Sequence, residues 1–211
     1  MLKLIRAAMI VTAVLALAGC TSNKMTAISG PPPRIQPQPA KATVVFYRSS
    51  GLGAAVQSSV FDVTADPPSF VGIVSAGMEI AYAASPGRHR FMVIGESADF
   101  LDAELAPGKI YYAAVAPRMG MWKARFSLRP RRDDQQTRDE LTFCKWYENT
   151  PASAQWAQQH MTEVEALEKE YLPEFLAKEQ EKPMLHADDG TTTPVVASAP
   201  PTSGLPGVIH H

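Results

Sequence analysis

The chain has 211 residues, 45% of them hydrophobic, with 20 Lys+Arg against 21 Asp+Glu and a formal net charge of −1. So even a balance leaves no electrostatic footprint for nucleic acid. Only two cysteines, Cys20 and Cys144, are present, which is too few for a disulfide framework.

The first segment has a short basic start, Lys3 and Arg6, and then the 12 almost wholly apolar residues AAMIVTAVLALA at 7–18. That run fits the ~7–15 residues of a secretory signal core and falls short of the ~20 that span a bilayer as a helix. It ends in Leu17-Ala18-Gly19-Cys20. The tetrad resembles the lipobox of bacterial lipoproteins: a branched apolar residue, two small residues, then cysteine. The alternative is an ordinary signal peptide with an accidental cysteine. The resemblance implies cleavage before Cys20, lipid on its thiol and new amino group, and a mature chain beginning there. Two or more acyl chains make such an anchor persistent, at ~0.8 kcal/mol per buried CH₂. Thr21 stands where an Asp would favour inner-membrane retention, so the resemblance also implies the outer membrane, with the protein facing the periplasm. Without Lys3 and Arg6 the mature chain has 18 basic against 21 acidic groups, a net charge of −3. Cys144 is then a lone thiol, read as a small buried apolar residue.

Residues 20–40 hold Pro31, Pro32, Pro33, Pro37 and Pro39 and read as an extended tether lifting the next domain off the membrane. Residues 41–130 read as all-β, with runs at 42–48, 55–63, 69–74, 78–84, 89–94, 99–105, 109–116 and 121–128 separated by Gly or Pro signals. Short strands at such spacing predict a β-sandwich or barrel of about eight strands. The last run alternates, with Trp122, Ala124, Phe126 and Leu128 toward the core and Lys123, Arg125, Ser127 and Arg129 toward water.

Two turns echo each other, SPGRHRF at 85–91 and APGKIYY at 106–112. In each, Pro pre-sets the turn and Gly accepts positive φ before an aromatic-bearing strand. The block ATVVFYR … PGRHRFMV … LAPGKIYYAAVAPRMG is similar to a widespread family of bacterial lipoproteins known only as a domain of unknown function. It also resembles PEGA-type modules, small β-sandwiches in which a Pro-Gly-x-His turn precedes a strand. Pro86, Gly87 and His89 match that turn, but the Pro-Glu-Gly-Ala tetrapeptide does not occur. The resemblance covers roughly 41–130, implies fold rather than activity, and carries no catalytic residues.

Residues 131–189 read as an acidic helical extension: 131–190 hold 7 basic and 14 acidic groups, against 9 and 7 in 41–130. Residues 140–147 fit a strand or a helical turn, with a lean to strand. From 151 the pattern is helical. Thr150 is placed as N-cap and Pro151 at the first helical position. Trp156, His160, Val164, Leu167 and Tyr171 form an apolar stripe, and Pro173 should kink or break the helix. The stripe must be buried, on a partner or on the chain's own β-domain, and the second needs no association entropy. Residues 190–211, small, polar and Pro-rich, read as a disordered tail.

No arrangement specifies a reaction. GESAD at 95–99 is a near miss of a nucleophile elbow and reads as an inter-strand loop. GLGAAV at 51–56 mimics half a dinucleotide fingerprint but lacks a βαβ context. His89, His160 and His186 stand apart, and His210 and His211 close a tail; none suggests a metal site. The carboxylates of the β block read as solvated. Lys123, Arg125 and Arg129 on one strand face, with Arg118, Arg131 and Arg132 nearby, allow three readings: a solvated edge-protecting face, a surface for a polyanion or glycan, or a dock for the acidic block. The expectation is therefore a non-enzymatic envelope lipoprotein, an interaction or scaffold module with neither metal nor cofactor. Its partners are the bilayer through Cys20 and an envelope protein or glycan. The alternatives are a glycan- or peptidoglycan-binding module using Tyr111, Tyr112 and Trp122 beside the basic face, and, last, an envelope hydrolase.

Overall fold

In chain order the strands and helices are β1 (Thr26–Ala27), β2 (Arg34–Ile35), β3 (Ala42–Arg48), β4 (Ser59–Asp62), β5 (Ser69–Ile73), β6 (Met78–Ala84), β7 (Gly87–Ile94), β8 (Ala98–Leu105), β9 (Ile110–Arg118) and β10 (Arg125–Arg131). They continue with α1 (Gln135–Leu141), β11 (Lys145–Glu148), α2 (Pro151–Gln159), α3 (Met161–Leu176), β12 (Met184–Leu185) and β13 (Val195–Val196). The computed structural model describes residues 24–31, 33–118, 125–178 and 182–196. The expectations for the lipobox and Cys20, for Trp122 and Lys123, and for His210 and His211 lie outside the described residues.

The fold is mainly β, as the runs predict. A six-stranded sheet has the order β1-β11-β6-β3-β9-β10, and a five-stranded sheet the order β12-β8-β7-β4-β5. Both are mixed: β3 pairs parallel with β9, β11 with β6, and β12 with β8. The two Pro-Gly turns are not hairpins. Pro86-Gly87 carries the chain from β6 in the first sheet to β7 in the second, and Pro107-Gly108 carries it back from β8 to β9. Gly87 and Gly108 have φ of 124° and 71°, values a side chain would resist.

The sheets share one core. Val44, Phe46, Ile80, Ala113, Phe126 and Leu128 meet Val60, Ile73, Phe91, Val93 and Leu101 across it, and the Phe46 and Phe91 rings pack edge-on at 5.1 Å. Both outer faces are covered as well. Leu141 and Cys144 close over Val45, Tyr47 and Tyr112 of the six-stranded sheet, beside Trp146 of its own β11. Ala157, Val164 and Phe175 of the helical arm close over Phe61, Met92 and Phe100 of the five-stranded one. Burial on both faces explains why ATVVFYR is buried at every position and why it reads as a continuous run rather than an alternation.

Several sequence expectations change. The tether does not extend to residue 40. Met25 is 3% exposed in the main core, β1 pairs with β11, and the Thr150 hydroxyl donates to the Lys24 carbonyl at 2.6 Å. The tail does not begin at 190 either: Thr191 bridges to Ile110 and β13 pairs with β2. Residues 131–189 are no appendage, because β11 and β12 each add a strand to a main sheet. The ambiguous 140–147 is both things, the end of α1 followed by β11.

The long helix breaks at His160 rather than Pro173. His160 Nδ1 lies 2.8 Å from the Trp156 carbonyl and its ring stacks on Trp156 at 4.7 Å, so the side chain competes for a helical acceptor. Past Pro173 the helix continues to Leu176. Proline costs ~3 kcal/mol there, a cost opposed by Phe175, which is 1% exposed and packs on Phe100 at 5.4 Å. A fully buried Phe contributes ~1.5–3 kcal/mol.

Candidate functional site

A polar cluster sits where β4 ends beside β7. Asp62 and His89 lie on neighbouring antiparallel strands, with His89 Nδ1 2.8 Å from Asp62 Oδ2 and side chains only 6% and 8% exposed. Thr64 donates to Asp62 Oδ1 through its amide and hydroxyl, and the Tyr82 hydroxyl reaches Asp62 Oδ2 at 3.3 Å. On the other side of the ring, Nε2 lies 2.9 Å from the Ser85 carbonyl and 3.3 Å from the Ser85 hydroxyl. The hydrogen bond to Asp62 raises the His89 pKa against the opposing effect of burial. Burial pushes the Asp62 carboxyl up, but hydrogen bonds from His89 and Thr64 outweigh it and hold it below its ordinary value. A cleft of about 470 Å³ opens beside the pair, lined among others by Thr64, Arg88, Arg90 and Asp102, and Arg90 Nε bonds Asp102 at 2.6 Å.

Ser85, His89 and Asp62 thus stand in the order of a nucleophile triad, and sequence spacing concealed it because Asp62 is 27 residues from His89. The chemistry argues otherwise. A triad base needs a free lone pair on Nε2 to take the serine proton. Here Nδ1 faces the Asp62 carboxylate and Nε2 lies nearer the Ser85 carbonyl than the Ser85 hydroxyl, an arrangement that favours a proton on each ring nitrogen. Nε2–H points at the Ser85 carbonyl, the shorter of its two contacts. The arrangement latches the Pro86-Gly87 corner to β4.

The glycine loop after β3 is also explained by an interior group. Arg48 is 0% exposed and is not held by an ion pair among the described residues. Its guanidinium donates to the carbonyls of Leu52 (2.9 Å), Gly53 (2.7 Å) and Val56 (3.0 Å) and to the Ser58 hydroxyl (3.2 Å). It lies 4.4 Å from the Phe126 ring centroid. The loop therefore turns carbonyls, not amides, toward its centre, the reverse of a phosphate cradle.

Among the basic candidates, Arg125 and Arg129 are exposed on β10 while Phe126 and Leu128 point inward. Lys123 lies outside the described residues. The neighbouring arginines are engaged internally. Arg118 Nη2 is 3.5 Å from Asp99, Arg131 Nε is 3.6 Å from Glu140, and Arg132 Nε is 2.8 Å from Asp189. Tyr111 and Tyr112, expected beside a glycan surface, are 0% and 2% exposed and offer no stacking platform; their β9 strand is central and covered on both faces. Of the helix stripe, Val164 is buried and Trp156, Leu167 and Tyr171 are half-buried, all packed with Phe61 and Phe100 of the chain's own sheet. Cys144 is 5% exposed and burial pushes its thiol up to about 12, so it is not a nucleophile at neutral pH. No group of three or more His, Cys, Asp or Glu suited to a metal occurs among the described residues. Comparison with protein families, curated proteins and solved structures found no match.

Proposed function

We propose that this chain is a lipid-anchored protein of the bacterial outer membrane whose folded domain is a non-enzymatic interaction module on the periplasmic side. The tetrad Leu17-Ala18-Gly19-Cys20 after a 12-residue apolar core carries the reading. The domain's geometry is compatible with it: the polar cluster that most resembles an active site is spent holding a turn, and the one described thiol is buried. The PEGA-like turn at Pro86, Gly87 and His89 adds the resemblance to envelope modules.

The test is cell fractionation of Cys20→Ala with mass measurement of the mature amino terminus. The native protein should stay with outer membrane after a high-salt wash and carry lipid mass on Cys20. The variant should remain uncleaved or leave the membrane. A variant that still fractionates with outer membrane after that wash removes lipid as the anchor.

A second reading, recognition of an anionic glycan or peptidoglycan carboxylates, is favoured by the outward Arg125 and Arg129. Sedimentation with purified peptidoglycan, lost in an Arg125→Ala/Arg129→Ala protein, would select it over a protein partner.

A further inference from the structure

The cleft of about 470 Å³ beside the Asp62–His89 pair has the size of a small-ligand site. It opens toward the face of the five-stranded sheet that carries the helical arm. Along β7, Phe91 and Val93 enter the core between the sheets, while Met92 packs under the arm. By that alternation Arg88 and Arg90 stand on the arm's side, ~7 Å apart along the strand. Their cross-strand neighbours on β8 are Glu104 and Asp102. Val63, just past β4, and Met184 of β12 supply apolar wall. The sheet order β12-β8-β7-β4 brings these four segments side by side.

The charges at the cleft are unequally committed. Asp102 holds Arg90 through two bonds, Nε at 2.6 Å and Nη2 at 3.2 Å, and the guanidinium lies 5.7 Å from the Phe175 ring centroid. Its orientation is therefore set, and Nη1 is left over. His89 is held by Asp62. Arg88 is exposed and forms no ion pair among the described residues, with Glu104 or any other carboxylate. Lys182 adds a cation nearby, its Nζ 5.6 Å from the same Phe175 ring. Glu168 of the arm is within electrostatic reach of Arg90 but is not part of the cleft wall. Pairing Arg90 with Asp102 and His89 with Asp62 leaves Arg88 as the uncompensated charge of the wall, and one negative charge balances it. A guanidinium meets a carboxylate through two parallel N–H···O bonds.

We propose that the cleft between β4, β7, β8 and β12 binds a monocarboxylate of about dipeptide size, its carboxylate on Arg88 and the free Nη1 of Arg90 and its apolar body against Val63 and Met184. This goes beyond the lipid anchor and does not use the Arg125–Arg129 face. It also gives the latch a purpose. His89 joins Asp62 to the Ser85 carbonyl, so the corner that leads into Arg88 is fixed before a ligand arrives. A cation carried on a preset backbone loses less freedom on binding.

The experiment titrates three probes into the purified full-length protein in detergent: N-acetyl-leucine, its uncharged amide and inorganic phosphate. Binding is followed through the NMR shifts of backbone amides. N-acetyl-leucine should saturate, with its shifts centred on 88–90 and 102–103, and the amide should not. Arg88→Gln should weaken that binding about tenfold or more with the urea midpoint unchanged, whereas Arg125→Gln/Arg129→Gln should bind as the native protein does. Saturation by phosphate but not by N-acetyl-leucine overturns the carboxylate as ligand. Equal binding of the amide, or undiminished binding by Arg88→Gln, overturns recognition of the charge by Arg88. No saturation by any probe, or shifts centred away from 88–90, overturns the site. The titration involves no bilayer, so its failure and the failure of the lipid anchor are read separately.

Discussion

His89 Nδ1 and Asp62 Oδ2 are 2.8 Å apart, and the same ring meets the Ser85 carbonyl with its other nitrogen. The two groups shift in opposite directions. His89 is raised, so its contribution is fully present below its unfolded pKa of ~6.5 and is lost as pH rises through the higher folded value. Asp62 is depressed, so its contribution is present above ~3.9 and is lost as pH falls through the lower folded value. Urea unfolding across pH should show both losses, and His89→Gln should shrink the one on the rising-pH side, leaving the part that the raised Glu79 carboxyl contributes. An unchanged alkaline limb in that variant would remove His89 as its source.

The same geometry predicts that Ser85 is not a nucleophile. A fluorophosphonate probe should leave Ser85 unlabelled on the purified protein, because Nε2 lies closer to the Ser85 carbonyl (2.9 Å) than to its hydroxyl (3.3 Å) and is directed at the carbonyl rather than at the hydroxyl proton. Labelling at Ser85 that disappears in Asp62→Asn would reverse this and make the domain a hydrolase.

Glu79 is 2% exposed and burial raises its pKa to about 8. A raised carboxyl favours folding fully below its unfolded pKa of ~4.3, and that stability drains away up to the folded value. Glu79→Gln should therefore flatten the stability profile between these limits, by up to ~1.4 kcal/mol per pH unit. Parallel profiles for the two proteins would show that Glu79 does not take up a proton on folding.

Arg48→Met should lower stability by ~2 kcal/mol, because three loop carbonyls and the Ser58 hydroxyl lose their donor. Limited proteolysis should then cut first within 49–58. Resistance of that loop equal to the native protein's would mean its shape does not depend on the guanidinium.

Phe126 is 1% exposed and lies under Arg48. Phe126→Ala should cost ~3–5 kcal/mol in urea unfolding. A loss under ~1 kcal/mol would place that face of β10 in water.

Local features were legible because neighbours in sequence decide them. The runs 42–48 and 78–84 coincide with β3 and β6, since β-branched and aromatic residues prefer the extended backbone. Thr150 caps α2 through the Ser153 amide, with Pro151 in the first turn, because a side-chain acceptor and a missing N–H both suit a helix start. The alternation placed Phe126 and Leu128 inside and Arg125 and Arg129 outside as found, but Ser127, expected toward water, is buried. What the order of residues does not contain is which distant group shares a face. The parallel pairing of β3 with β9, the burial of Met25, the Asp62–His89 latch and the carbonyl shell of Arg48 join segments through sequence separations or neighbours that no short period marks. Strand propensity is summed over a few adjacent residues, whereas sheet order, the protonation of His89 and the solvation of Arg48 depend on which side chains the packed sheets bring within hydrogen-bonding distance. Those were decided only when the two sheets closed on one core.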